Sequence, residues 1–218
     1  AELAEGNRLV VTHGNGPQVG LLALQADAYD PDHPARLDVL DAETEGAIGY
    51  LLGQELANQL PGREVAAILT RTLVDPADPA FGNPTKPIGP TYTRDEAERL
   101  ADQKGWTIAP DGGAFRRVVA SPEPQAIAEL QTIERLLDDG VIVVAAGGGG
   151  VPVALDDTGG LAGVDAVVDK DLAAALLAQR LGADRLVLLT DVAAVQLDFG
   201  TPRARAIRSA GVEALRDY

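Results

Sequence analysis

Four short apolar runs punctuate the chain: Arg8–Thr12, Val65–Thr70, Val141–Ala146 and Arg185–Thr190. Each is rich in β-branched residues, and none alternates cleanly between apolar and polar positions. That is the pattern of parallel strands covered on both faces. Between these runs, apolar positions recur at helical spacing. Ala47, Ile48, Leu51, Leu52, Leu56 and Leu60 fall at helical spacing in a helix predicted over Glu43–Leu60, stopped by Pro61-Gly62. Gln125–Asp139 reads as a second helix, ending at Gly140, and Leu172–Leu181 as a third, ending at Gly182. Alternating strands and helices predict an α/β fold with a mainly parallel sheet.

A proline-rich region interrupts this rhythm. Eight of the 14 prolines fall between Pro76 and Pro124, and five lie in Asp75–Pro90, too many for a helix or a sheet interior. Residues 75–120 are therefore expected to leave the sheet as a protruding lobe, with one helix at Arg94–Lys104. Long insertions of this kind are functional, mobile or simply decorative surface. Further on, Val151–Val168 reads as two short strands joined by a glycine turn around Asp156–Gly160.

Two glycine clusters end apolar runs. Val10–Thr12 runs into His13-Gly14-Asn15-Gly16-Pro17, where Pro17 suits the start of a helix. Strand, glycine turn and helix start form an anion cradle: the chain approaches closely and helix N–H groups point at the ligand. The spacing G-x-G-x-x-x-G is not that of the dinucleotide fingerprint, and a plain strand-to-helix turn has the same look. The second cluster, Gly147–Gly150, follows the most apolar strand. Four glycines in a row are entropically costly, and close approach of a ligand is a common reason for them. In an open α/β sheet both clusters belong at the carboxyl edge, where ligands bind.

Lysine is scarce, with only Lys86, Lys104 and Lys170 against 15 arginines. Lys170 stands in Asp169-Lys170-Asp171-Leu172 at a helix start, where a cation opposes the dipole unless an anion offsets it. Asp169 or Asp171 suits the N-cap. Lys86 lies in the stiff, proline-flanked Asn83–Pro90. Thr190 and Asp191 end the last apolar run, placed for nucleotide hydroxyls or for ordinary helix capping. Glycine loops and lysines together supply the positioning and charge neutralisation that phosphoryl transfer needs. His13 is the one well-placed imidazole, and capping the turn is its simpler role.

The 218 residues suffice for one α/β domain, or a domain plus a lobe. A net charge of −15 speaks against nucleic acid and anionic membranes as partners. The absence of cysteine excludes disulfides, thiolate nucleophiles and thiolate zinc sites, and two histidines exclude a multi-histidine metal centre. No metal ligand set is expected. With no apolar run of membrane-spanning length and no leader signal, a cytoplasmic location is the default expectation.

His13–Gly20 (HGNGPQVG), Thr44–Tyr50 (TEGAIGY), Asn83–Pro90 (NPTKPIGP), Ala145–Val153 (AAGGGGVPV), Asp169–Leu172 (DKDL) and Leu188–Val192 (LLTDV) resemble, in order, the motifs of the carbamate kinase branch of the amino acid kinase family. The first and third are the most specific to that branch. The resemblance implies a single domain over 1–218, a three-layer αβα sandwich with the 75–120 lobe as a lid, and a homodimer. It implies reversible phosphoryl transfer between ATP and carbamate, giving ADP and carbamoyl phosphate, with Mg²⁺, in arginine breakdown. By similarity, Gly14, Asn15 and Gly16 line the acceptor and transferred-phosphate site, and Gly147, Gly148 and Gly149 face the phosphates. Lys170 neutralises the moving phosphoryl group, and Lys86 reaches it from the lid. Asp169 or Asp171 orients the lysine, and Thr190 and Asp191 lie on the nucleotide side. Two parts of the family pattern are not found: an initial strand with a Gly-Gly-Asn loop, and a later lysine segment. The chain opens on Ala1 rather than Met, and a piece lacking those parts is expected not to turn over. The other readings are a related kinase acting on a carboxylate such as acetylglutamate, or a catalytically incomplete nucleotide-binding fragment.

Overall fold

A computed structural model describes residues 2–190 and 192–215, in two compact units, Ala1–Leu186 and Val187–Tyr218. In the first unit, β1 (Val10–Val11) leads into α1 (Gly16–Tyr29) and α2 (Leu37–Gln59). These are followed by β2 (Val65–Ala67), β3 (Arg71–Val74), β4 (Lys86–Tyr92), α3 (Arg94–Lys104), β5 (Thr107–Asp111) and β6 (Ala114–Val119). Then come β7 (Pro124–Ile127), α4 (Leu130–Asp138), β8 (Ile142–Val144), β9 (Val151–Leu155), β10 (Leu161–Gly163) and α5 (Lys170–Arg180). The second unit holds an antiparallel pair, β11 (Val195–Leu197) and β12 (Arg205–Ile207), and a short α6 (Val212–Leu215).

The central strands β1, β8 and β2 are parallel, with β8 in the middle. Ile142, Val143 and Val144 are all at most 2% exposed. Successive strand residues point to opposite faces, so both faces are covered. On one of them α4 and α5 contribute Ile133, Leu137 and Leu177, which form a core with Val143 and Ala145. Helix α2 packs on β2 and β8, with Gly49 against Ala67. A second sheet, β10-β9-β3-β7, joins β3 and β9 in parallel and adds antiparallel partners at both sides. Because β1, β2 and β8 share a direction, the segments after their carboxyl ends (12–15, 68–70 and 145–150) leave from one edge.

Four local expectations are corrected. Residues 185–190 form no strand: no ladder among the described residues takes them up, and an apolar run becomes a strand only where a neighbour accepts its hydrogen bonds. The helix predicted from Gln125 begins at Leu130, because Pro124–Ile127 pairs with β3 instead. Helix α2 starts at Leu37, earlier than Glu43. Its first turn is secured by the Leu37 N–H, which donates to Asp165 Oδ1 at 2.9 Å, and by the buried Leu37 and Leu40. The proline-rich region does contain a strand. Lys86–Tyr92 lies at the edge of the sheet β4-β6-β5, where Pro87 and Pro90 have an unpaired side to face. The helix at Arg94–Lys104 and the hairpin after Val151 form where the sequence places them. A capping box of Thr93 and Glu96 starts that helix, and Gly105, with φ +66°, ends it.

The segment carrying β4 is anchored to α1. Gly20 and Gly89 meet backbone to backbone, leaving no room for a side chain at Gly20. Ile88 is buried in one core with Val19 and Ala23. This contact fixes where Lys86, two residues earlier on β4, stands relative to the β1 edge.

Candidate functional site

Both glycine clusters lie at the carboxyl edge of the parallel strands and pack directly on one another. A Cβ at Gly147 would fall into the His13 ring, and one at Gly148 into the Asn15 amide. The Gly148 N–H donates to the His13 carbonyl at 2.7 Å. Gly148, at φ +68°, and Gly149, at φ +106°, hold conformations that only glycine adopts without strain.

The two loops differ in what they offer a ligand. The N–H groups of Gly14, Asn15, Gly16 and Gln18 meet no acceptor among the described residues. They belong to the entry and first turn of a 14-residue helix, an end that favours anions. In the 145–151 loop every N–H is already taken. Ala146 donates to Thr70 Oγ1 (2.9 Å), Gly147 to Glu45 Oε1 (3.1 Å) and Gly149 to the Ala146 carbonyl (3.2 Å). Gly150 donates to the Gly147 carbonyl (2.9 Å) and Val151 to the Thr70 carbonyl (2.8 Å). This loop therefore offers no nest of free donors, and its missing Cβ atoms make room for His13, Asn15 and Val168.

Lys170 stands on the first loop. Its Cδ and Cε lie 3.1 and 3.3 Å from where a Gly14 Cβ would be, so its stem runs across Gly14. Its ammonium donates to Asp171 Oδ1 at 2.8 Å, in a pair about half exposed. Lys86 arrives from β4 and donates to Asp169 Oδ2 at 2.5 Å. Asp169 also caps α5, where its Oδ1 accepts from the N–H groups of Asp171 (2.9 Å) and Leu172 (3.1 Å). Partial burial raises the Asp169 carboxyl, but the Lys86 hydrogen bond and the two N–H groups outweigh it and hold it below the usual carboxylate range. Gly14, Lys170, Asp171, Asp169 and Lys86 thus form one continuous chain of contacts.

Asn15 is 2% exposed, and its amide is spent inside the protein. Its Nδ2 donates to Asp41 Oδ1 (3.0 Å) and Thr44 Oγ1 (2.9 Å), so what it turns toward a ligand is its main-chain N–H. His13 Nδ1 is 3.1 Å from the Gly14 carbonyl, while its buried Nε2 has no partner among the described residues. Burial lowers its pKa, so the ring is neutral at pH 7. Thr190 lies in the second unit, in a segment without regular structure, where its Oγ1 accepts from the Val192 N–H at 3.4 Å. Asp191 lies outside the described residues.

Sequence reasoning assigned no role to the acidic stripe of α2. Asp38, Asp41 and Glu45, all buried, project from one face. Each is tied to a separate segment: Asp38 to Arg36, which also holds the Gly163 carbonyl, Asp41 to Asn15, and Glu45 to Thr70 and Gly147. The signal was legible as carboxylates at helical spacing between Leu37, Leu40 and Gly49. Below this stripe, His13, Glu45, Gly49, Tyr50, Ile68 and Gly147 line part of a cleft of about 300 Å³. Among the described residues no three His, Asp or Glu side chains converge as a metal cage, and no helix is long and apolar enough to cross a membrane.

The profile of the amino acid kinase family matches residues 1–217. The chain is 53% identical to a carbamate kinase of Haemophilus influenzae, covering 100% of this chain and 70% of that protein. It is 49% identical to one of Pyrococcus furiosus, covering 99% of this chain and 71% of that protein. Among solved structures, a carbamate kinase from Giardia lamblia bound to citric acid superposes with a TM-score of 0.84 at 41% identity, covering 92% of this chain and 65% of that one. The Giardia enzyme bound to AMP-PNP gives 0.78 at 40% identity, covering 93% and 66%.

Proposed function

Because this chain belongs to the amino acid kinase family, on its carbamate kinase branch, we propose that its glycine edge is the site of phosphoryl transfer between ATP and carbamate. The observation that carries this reading is the stem of Lys170 lying across Gly14, beside the free N–H groups of the α1 entry. A helix N-terminus with a lysine folded over it offers fixed donors and a mobile positive charge, the two things a moving phosphoryl group requires.

In this reading the N–H groups of Gly14–Gly16 hold the acceptor and transferred phosphate. Gly147–Gly149 face the phosphates with their main chain. Lys170 exchanges Asp171 for the phosphoryl oxygens, and Lys86 does the same from its place on Asp169. The 75–120 segment acts as the lid that carries Lys86, within one family domain. Thr190 and Asp191 serve the nucleotide side. Mg²⁺ enters on the nucleotide phosphates, as is common for this ion. Val39, Gly46, Ala47 and Tyr50 surround the single carboxylate Glu43 on an exposed, otherwise small-to-apolar face of α2, which supports a homodimer.

The test is ATP formation from ADP and carbamoyl phosphate, run beside acetylglutamate phosphate in full-length protein that carries the Gly-Gly-Asn strand and the later lysine segment. Selective use of carbamoyl phosphate is expected. Turnover of the acetylglutamate compound alone would overturn the assignment in favour of a related kinase.

A further inference from the structure

Glu45 has no assigned part in binding or catalysis, yet its carboxylate joins two loop segments of the site. Oε2 accepts from the Thr70 N–H and Oε1 from the Gly147 N–H, each at 3.1 Å. Thr70 in turn accepts from the Ala146 N–H through Oγ1, and Thr72 Oγ1 donates to the Gly149 carbonyl at 2.6 Å. The glycine loop is thus pinned at 146, 147 and 149 from below. Its next contact is Gly148 on the His13 carbonyl, and Asn15 lies flat against Gly148. A shift of Gly147 must pass through these contacts to the α1 entry.

We propose that Glu45 is a positioning residue for this site: its ionised carboxylate clamps Gly147 and Thr70 and so sets the loop against which the anion cradle is built. The proposal rests on the phosphoryl-transfer reading for its activity readout only.

The chemistry of the clamp makes it sensitive to protons. Two N–H donors need two acceptor oxygens, which an ionised carboxylate supplies. A protonated carboxyl keeps one carbonyl acceptor, but its hydroxyl oxygen is a poorer, uncharged acceptor, so the hold on the two donors is weakened and made unequal. Burial pushes Glu45 up to about 7, against the pull of the Thr70 and Gly147 N–H groups, with the Glu129 charge adding to the rise. The groups around it are Asp41 on α2, the neutral His13 on the β1–α1 loop, and Glu129, which is paired with Arg71 at the start of β3. Asp41 is also pushed well up, chiefly by its own burial, with the Glu45 charge adding to the rise. The cleft beneath Glu45 admits water, so proton exchange needs no unfolding.

The experiment follows the amide resonances of Gly147 and Thr70 from pH 5.5 to 8.5 in the wild-type chain and in Glu45→Gln. The glutamine keeps the shape but has a single acceptor and no charge. Both amides are expected to titrate together with a midpoint near 7 in the wild type and to stay flat in the variant. In parallel, kcat for carbamoyl phosphate and ADP is expected to fall below the midpoint in the wild type. In the variant it should be lowered by about tenfold or more at pH 8 and be independent of pH across that range, with KM for ADP within about threefold, as expected when positioning rather than ground-state binding is lost. Wild-type amides that do not titrate overturn the proposal whether or not the variant folds. So does the same titration persisting in Glu45→Gln, which would assign it to His13 or Asp41. Amides that titrate in a protein unable to use carbamoyl phosphate would sustain the clamp and overturn the reaction assignment instead.

Discussion

Lys86 Nζ and Asp169 Oδ2 stand 2.5 Å apart and connect β4 to the N-cap of α5, two elements separated by 83 positions in sequence. Asp169 does not depend on Lys86 for its place, because two N–H groups of α5 hold its other oxygen. Lys86 is the partner free to leave, and an incoming phosphate offers it a stronger anion.

Replacing Lys86 by alanine therefore costs little structure. Both side chains are about 30% exposed, and pairs with that access to water contribute at most about 1 kcal/mol. Turnover of ADP and carbamoyl phosphate is expected to fall about 10²-fold or more, the scale of losing one charged stabilising group, while ADP affinity stays within about threefold. Equal losses in turnover and affinity would remove the lid role.

Lys170→Ala separates stability from activity more sharply. Lys170 begins α5, where a cation works against the helix dipole by about 0.3–1 kcal/mol, and among the described residues it pairs with a half-exposed neighbour, Asp171. Melting temperature is expected to stay level or rise slightly while kcat drops by about 10²–10³. Near-normal kcat would show that the phosphoryl group does not meet this lysine.

How much of this was legible beforehand depended on whether the signal was local. Helix α3 was readable because Thr93, Glu96 and Gly105 are its own punctuation. The glycine loops and Lys170 were readable because glycines at a strand end and a lysine at a helix start break local preferences that only a ligand or a close contact repays. Residues 185–190 were not: the same β-branched composition makes a strand or an irregular segment depending on a partner that the run does not encode. Pro124–Ile127 failed for the converse reason, a distant β3 capturing residues whose own spacing suited a helix. The inward role of the Asn15 amide was invisible because it depends on Asp41 and Thr44, some thirty positions on.

Glycines at the edge should divide into two classes under alanine substitution. Gly148 sits at φ +68° against an Asn15 amide that Asp41 and Thr44 hold in place. Gly148→Ala is expected to destabilise by several kcal/mol or prevent folding, combining backbone strain with overpacking. Gly16 has nothing within 4 Å of a would-be Cβ and no unusual φ. Gly16→Ala is expected to leave thermal stability unchanged while weakening carbamoyl phosphate binding tenfold or more. Unchanged affinity in a folded Gly16→Ala protein would mean that the anion does not approach this turn.

The Glu45 clamp has a thermodynamic signature independent of activity. Its carboxyl is raised from 4.5 to about 7 on folding, so between these values the native state binds a proton that the unfolded chain has released. Stability from this group is therefore full below pH 4.5 and is lost as pH rises through 7. The interval of some two and a half units corresponds to about 3 kcal/mol. Asp41 shifts in the same direction, whereas Asp78, Glu96, Asp156 and Asp169 shift in the opposite one, so the raw profile mixes their contributions. Subtracting the profile of Glu45→Gln isolates one group. The wild-type-minus-variant stability from chemical denaturation is expected to fall by about that amount between pH 4.5 and 7 and to be level on either side. The ionised form that best holds Gly147 and Thr70 is thus the one the fold tolerates least, and the site works on the less stable side of its own titration. A flat difference profile across this window would mean that Glu45 is not buried as a titrating clamp, and a difference that rises with pH would reverse the sign on which the argument depends.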